Sequence, residues 1–369
     1  MSDDTSPNVT IDALEAKVVV FRQQPEAKGF AQLRQELRDA GRGELLAELC
    51  ATWAQHERDP VRAADAWSEA GEAMVVLGEL ETAAEYLRTA LELDPTNDRA
   101  ADRLIEIVEP SDPAYAVEII ELELGELAKR DGAKRKPEVT QRRAAHHRKA
   151  AELWNDYLGR VDRALWHWQQ AWKLEPHRTE ALDAARQLYK TLGDDAMVAK
   201  LFQAELDVLA TDRHAGPRRA SVRLELGKLA LRAKDLETAA NHLEEAAKLD
   251  PTSLEISEKL ADVYASPGFR DGQTRGKASE LFVDLGRRRM ATRDDQTGLN
   301  YLRRAVGIDP YAKSSSEALQ EALSGSSQWT ELDRILRHRT NVVQDPAERA
   351  EVLRRRAALY RTQLPIARA

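Results

Sequence analysis

Cysteine is nearly missing from this chain: Cys50 is the only one in 369 residues. That excludes an internal disulfide and any multi-cysteine zinc site. Aromatic residues are scarce, at 5%, and strand-favouring runs are almost absent. Long apolar runs are missing too. The stretch VVVF, Val18 to Phe21, is about the longest, whereas a membrane span needs roughly 18 apolar residues or more. The N-terminal MSDDTSPNVT is acidic and polar, without the basic and apolar regions of a secretory signal. The simplest location for such a chain is the cytoplasm.

Recognisable catalytic chemistry is missing as well. No serine elbow of the G-x-S-x-G kind occurs, and no cysteine–histidine pairing fits around Cys50. The loop GFRDGQTRGKAS looks at first like a phosphate cradle. It has Asp271 where a glycine is required, Ala278 after Lys277 instead of Ser or Thr, and no preceding strand. His146 and His147 are neighbours, so on a helix they point about 100° apart and cannot share a metal; a solvated or groove-lining place is expected for them. No catalytic residue, cofactor or metal ligand is therefore assigned, and the chain is not expected to be an enzyme.

What is abundant is helix-forming, charged and small. Charged residues make up 32% of the chain, and Ala, Leu, Glu and Arg dominate, as in an all-helical protein with small residues at helix contacts. The stretch Ala64–Asn97, ADAWSEAGEAMVVLGELETAAEYLRTALELDPTN, reads as two amphipathic helices joined by a tight turn. Gly71, Ala83 and Ala90 are small enough for close helix approach, Trp67 and Leu87 fill the space around them, and Pro95 ends the second helix and can open the next. The pattern returns three times. From Ala145 it holds Ala151, Ala164, Trp168, Ala171 and Pro176; from Ala220, Leu226, Gly227, Ala239, Leu243, Ala246 and Pro251; from Ser279, Leu285, Gly286, Leu302, Ala305 and Pro310. The last copy has Gly298 at its twentieth place, a poor helix-interior residue. Trp166, Trp168 and Trp172 form an aromatic cluster expected in the core. The copies close on LDPTN, LEPHR, LDPTS and IDPYA.

This order of residue types resembles the tetratricopeptide repeat, a 34-residue helical hairpin, of bacterial type. The resemblance implies an all-α fold: an α-solenoid of helical hairpins wound into a right-handed superhelix. The clear copies start 81, 75 and 59 residues apart, so divergent helices are expected between them, about nineteen in all. The expected organisation is a disordered 1–10, N-terminal helices forming a degenerate hairpin over 11–63, and hairpins over 64–130. A basic loop and helix start at 131–144 follow, then hairpins over 145–345 and a final helix at 346–369. The interval before Ser279 holds a single helix, Leu254 to Tyr264, and a loop from Ser266 to Gly276.

Charge is uneven. Residues 1–130 carry 13 Lys/Arg against 28 Asp/Glu, and the rest carry 42 against 35. In the tetratricopeptide family the second, fifth, ninth, twelfth and thirteenth places of each first helix line a concave surface. Carried over, these are Asp65, Ser68, Glu72, Val75 and Val76, then His146, Lys149, Leu153, Asp156 and Tyr157. The third copy offers Ser221, Leu224, Lys228, Leu231 and Arg232, and the fourth Glu280, Val283, Arg287, Met290 and Ala291. The resemblance thus implies a protein-interaction scaffold or adaptor that binds a partner peptide or helix. The candidate partner-binding residues are His146, Lys149, Leu153, Tyr157, Leu224, Lys228, Leu231, Arg232 and Arg287. An acidic partner segment with an apolar anchor would suit them. The family's carboxylate clamp is not assigned, since only Lys149 fits it.

A second reading is RNA binding by a helical-repeat array, drawn from the basic clusters Lys134–Lys136, Arg142–Arg143, Arg218–Arg219, Arg287–Arg289 and Arg354–Arg356. Scarce aromatics and the acidic net charge of −8 stand against it. The last stretch, RRRAALYRTQLPIARA, runs in step with KAAELWNDYLGRVDRA of the second copy. It is expected to be a first helix whose seam, including Leu353 and Leu359, lacks a partner. The expectation is that these residues are the N-terminal repeat region of a larger regulatory protein. The competing expectation is a homodimer through the C-terminal face.

Overall fold

The computed structural model describes residues 13–131, 136–269 and 272–364. The expected disorder of residues 1–10, the cluster at Lys134–Lys136 but for Lys136, and the closing ARA lie outside them. The described residues contain nineteen helices and no strand, in two compact units, Met1–Leu192 and Gly193–Ala369.

The first unit runs α1 (Ala13–Gln23), α2 (Ala27–Asp39), α3 (Gly43–His56), α4 (Pro60–Leu77), α5 (Leu80–Leu93), α6 (Asp98–Val108), α7 (Pro113–Asp131), α8 (Pro137–Asp156), α9 (Val161–Leu174) and α10 (Glu180–Thr191). The second runs α11 (Asp195–Leu209), α12 (Gly216–Arg232), α13 (Leu236–Leu249), α14 (Leu254–Tyr264), α15 (Gly272–Ala291), α16 (Asp295–Ile308), α17 (Lys313–Gly325), α18 (Trp329–Val342) and α19 (Pro346–Thr362). Within each unit sequential helices pack on one another; α3 packs closely on α4, and the same close packing joins α4 to α5, α8 to α9, α12 to α13 and α15 to α16. The latter four pairs are the hairpins expected from the sequence. The lone helix between the third and fourth is α14, with the bounds expected for it.

The same atomic clamp closes three hairpins. A methyl group added at Gly71 would stand 2.7 Å from Leu87 Cγ, and one at Gly227 would stand 2.7 Å from Leu243 Cγ. At Gly286 it would stand 2.7 Å from Leu302 Cγ. Each leucine is at most 1% exposed, and burying such a side chain contributes roughly 1.5–3 kcal/mol. Glycine is required there because the leucine occupies the space of its missing side chain. The fourth hairpin comes closer still: Gly298 faces Gly286, and a Cβ on Gly298 would lie 2.4 Å from Met290 Cγ and 3.0 Å from the Gly286 carbonyl. What looks in the sequence like a poor helix residue is the one the crossing demands.

The turns repeat too. Between first and second helices the chain passes through a left-handed residue: Gly41, Gly78, Gly159, Lys234, Arg293 and Ser327, with φ between 57° and 85°. Second helices then open on Asp235 and Asp294, whose carboxylates accept from the backbone N–H of Thr238 (3.0 Å) and Thr297 (3.4 Å). At the closing turns the aspartate holds the chain. Asp94 Oδ1 accepts from Thr96 N and Oγ1 at 2.9 and 2.6 Å, and Asp250 Oδ1 from Thr252 N and Oγ1 at 3.0 and 2.7 Å. Pro95 sits inside this turn and does not open the next helix; α6 opens on Asn97, whose side chain accepts from Ala100 N at 3.0 Å.

Other expectations shift. Trp168 is buried and Trp172 half-buried, but Trp166 is 51% exposed, because residues two apart on a helix project to nearly opposite sides, whereas Trp168 and Trp172, four apart, share a face. The helix α15 already starts at Gly272, so Gly272 and Gly276 of the supposed phosphate loop are helical. Leu359 is not unpartnered: it is buried with Leu332, Leu336 and Val352, while Leu353 remains 46% exposed. Asp333 ties α18 to α19 by accepting from Arg356 Nε at 2.6 Å and Tyr360 OH at 2.9 Å.

Candidate partner-binding surfaces

In three first helices the five lining places have one burial pattern. The second place (Asp65, Ser221, Glu280) is exposed and the fifth (Ser68, Leu224, Val283) is buried. The ninth (Glu72, Lys228, Arg287) and twelfth (Val75, Leu231, Met290) are partly or fully open, and the thirteenth (Val76, Arg232, Ala291) is exposed. In α8 the pattern fits, but for a half-buried Arg148 at the fifth place, only when shifted by one residue. His146 and Leu153 are buried, at 7% and 1% exposure, whereas Ala145, Glu152 and Asp156 are exposed and Arg148 and Asn155 half-buried. The cause is length: α8 carries one extra residue before its turn. The left-handed residue follows Ala151 by eight places at Gly159, but follows Gly71, Gly227 and Gly286 by seven at Gly78, Lys234 and Arg293. Counting back from the second helix, as the sequence pattern invites, therefore misplaces the first.

Of the nine candidates, His146, Leu153 and Leu224 are buried, and Tyr157 is 62% exposed. Leu231 is half-buried and Arg287 exposed. Three of the four cations among them are matched within the chain. Lys149 pairs with Glu109 at 2.6 Å, Lys228 with Glu225 at 2.8 Å and Glu255 at 2.6 Å, and Arg232 with Asp195 at 2.8 Å. Lys149 and Tyr157 belong to the first unit, and the other basic candidates to the second. The wider basic clusters are also engaged: Arg288 with Asp284, Arg218 with Glu205, Arg355 with Glu351, and Arg356 with Asp333.

The two adjacent histidines are not solvated, although each lines a surface cleft. Both are buried, and they serve opposite neighbours, as their 100° offset requires. His146 Nε2 lies 3.0 Å from Glu123 Oε2 of α7. His147 Nδ1 lies 3.0 Å from His167 Nδ1 of α9, a contact in which one imidazole donates and the other accepts. Burial first, then the charges of His167, Arg143 and His146, push the His147 pKa down to about 3. Burial likewise lowers that of His167, against the pull of Glu121.

Asp102, Glu123 and His146 place one ligand atom each within 4.8 Å of one another, which is a donor set of cation-site type. Here a guanidinium fills it. Arg142 donates to Glu123 Oε1 at 2.7 Å and, through two nitrogens, to both oxygens of Asp102 at 2.9 Å. Burial disfavours that charge, but the two carboxylates outweigh it and raise the Arg142 pKa. The cluster is an arginine-centred brace joining α6, α7 and α8. Sequence reasoning missed it because its members are spread over more than 40 positions with no spacing rule.

Sequence reasoning also missed an apolar slot in the first unit. Its walls are Leu91 of α5, Ala101 of α6, and Tyr115, Ile119 and Leu122 of α7, and it encloses about 410 Å³. Leu122 is 73% exposed. The one available signal was the leucine-and-isoleucine run of α7, which is too apolar for a helix with a single buried face.

With this geometry established, the comparisons are as follows. The family model described as tetratricopeptide repeat matches residues 64–97. No curated protein matches the chain. Solved structures that resemble it include MamA from Desulfovibrio magneticus RS-1, at 16% identity over 55% of this chain and 99% of that one, with a TM-score of 0.33. Another is the complex titled TPR2AB-domain:pHSP90 of yeast Sti1, at 12% identity over 81% and 97%, with a TM-score of 0.30. A third is YrrB, titled a TPR protein with an unusual peptide-binding site, at 18% identity over 53% and 90%, with a TM-score of 0.30.

Proposed function

Because this chain is built on tetratricopeptide-repeat hairpins, we propose that it is a protein-interaction scaffold that holds a polypeptide partner against the first helices of those hairpins. The observation that carries this reading is the recurring open ladder: the second, ninth, twelfth and thirteenth places stay accessible in α4, α12 and α15, and in α8 after its one-residue shift. Within each unit, regularly spaced side chains on rigid helices suit an extended or helical segment, which meets one rung per hairpin of that unit. Leu231 and Met290 offer apolar contact, and Arg232 and Arg287 offer charge. His146, Leu153 and Leu224 act as packing, not as contacts. An acidic partner segment must displace the internal carboxylates of Lys228 and Arg232, so those cations steer and select more than they add affinity.

The RNA reading gains nothing from the structure, since Arg142, Arg218, Arg288 and Arg356 already hold carboxylates. A photo-crosslinking amino acid at Arg232 or Ala291 tests the proposal, with Glu237 and Gln296 on the second helices as controls. Protein adducts from the native lysate at the first two positions alone are the expected result. Adducts equally strong at the controls would refute the face, and adducts that vanish on RNase treatment would refute the class of partner.

A further inference from the structure

The apolar slot of the first unit lies away from the first-helix ladder. It is built by α5 and α7, the second helices of successive helix pairs, with Ala101 of α6 at its floor. Three features set it apart from an ordinary surface dip. Its walls are large and apolar: Ile119 is buried, Leu91 and Tyr115 are half-buried, and Leu122 is left 73% exposed at the edge. The exposed leucine thus stands beside a partly covered apolar hollow, not alone on a polar surface. One wall is fixed in place, because Arg88 donates to the Tyr115 hydroxyl at 3.1 Å and lies 5.4 Å from the centre of its ring. The rim is acidic. Glu92 of α5 and Glu118 of α7 line the slot, are exposed, and form no ion pair among the described residues, while Glu126 is held by Lys129 at 2.6 Å.

We propose that this slot binds a basic segment of a protein partner, inserting one large aliphatic or aromatic side chain between α5 and α7 while lysines or arginines flank it on Glu92 and Glu118. This deepens the scaffold reading, on which it rests, by adding a second surface of opposite charge preference. The volume lies within the range of sites that enclose a compact ligand group. An anchor in a pocket supplies affinity, and the flanking charges supply rate and selectivity. Arg88, whose charge the neutral Tyr115 phenol leaves intact, lines the same slot, so the preference for a basic segment rests on Glu92 and Glu118 outnumbering it. The acidic excess of residues 1–130, 28 Asp/Glu against 13 Lys/Arg, extends the same preference beyond the rim.

The test uses the full chain and a short fluorescein-labelled peptide carrying a leucine–phenylalanine pair between lysines and arginines. Fluorescence anisotropy should show saturable binding. Leu122→Lys, at a position exposed enough to leave folding intact, should weaken it by about tenfold or more. Glu92→Lys combined with Glu118→Lys should weaken it and also reduce its salt dependence. Circular dichroism of each variant checks that the helices remain. A probe whose basic residues are replaced by glutamate should not bind. Binding unchanged by Leu122→Lys, or equal binding of the acidic probe, overturns the proposal. So does a wild-type dimer that Leu122→Lys converts to monomer in light scattering, because a second copy would then fill the slot. Failure here stays separate from failure of the scaffold reading. First-helix adducts that persist in Leu122→Lys while the basic probe fails would remove the slot alone. Absence of any protein adduct at the first helices would remove the scaffold.

Discussion

The glycine–leucine clamp makes a sharp prediction at Gly227. Alanine there puts a methyl group 2.7 Å from Leu243 Cγ and 2.9 Å from Cδ2. Leu243 is fully buried beside Ala239 and Ala246, so it has little room to turn aside. Overpacking of this kind costs about 1–3 kcal/mol. Alanine also gains about 0.5–1 kcal/mol over glycine in a helix interior. The packing cost wins, and Gly227→Ala should lose about 1–2 kcal/mol. Gly125 is the control: it lies mid-helix in α7 with nothing within 4 Å of an added methyl, so Gly125→Ala should gain about 0.5–1 kcal/mol by the same propensity. Leu243→Ala alone should cost about 2–5 kcal/mol. Combined with Gly227→Ala, it should cost less than the sum by roughly 1 kcal/mol, because the leucine that clashes is gone. Urea unfolding with hydrogen exchange resolved to α12 and α13 reads each value locally, which a repeat array requires because distant hairpins need not melt together. A Gly227→Ala protein that is stabilised, or a strictly additive cycle, would show that the hairpin is looser than described.

The buried His147 predicts acid sensitivity in the first unit. The unfolded chain takes up this proton below about pH 6.5, whereas the native state resists until about 3. Stability is therefore full above that unfolded value and falls as pH drops, by on the order of 2–3 kcal/mol by pH 4. Exchange rates of α8 and α9 against pH should flatten in His147→Gln, and an unchanged slope would refute the assignment. At the left-handed turn residue Lys234, with φ of 61°, Lys234→Gly should raise the stability of the α12–α13 hairpin by about 0.5–1 kcal/mol, read by urea unfolding, since only glycine adopts that conformation without strain. Cys50 is fully buried, and burial first, then Glu69, raises its thiol pKa. Iodoacetamide should leave it unmodified in the native protein and label it on unfolding; rapid native labelling would place α3 wrongly.

How much was legible follows from the range of the forces involved. The helices could be read because their causes are local. Amphipathic spacing, prolines at helix starts, aspartates at turns and glycines at left-handed places act within a few residues, and the bounds of α14 came out as expected. The hairpin clamp could be read because Gly71 and Leu87 sit at a fixed distance along the chain, and the same distance returns at Gly227–Leu243 and Gly286–Leu302. The register of α8 could not, because one added residue before Gly159 leaves the second helix in step while rotating the face of the first by a helical residue. Nor could the fate of the charges. Lys228 and Arg232 look available in the sequence, but Glu255 and Asp195 meet them from other helices, and Arg142 finds Asp102 and Glu123 only once α6, α7 and α8 stack. The sequence by itself determined the helices, their turns and the repeating clamp. Only the tertiary structure decided which side chains remain open to a partner, because burial and ion pairing depend on what the neighbouring hairpins bring.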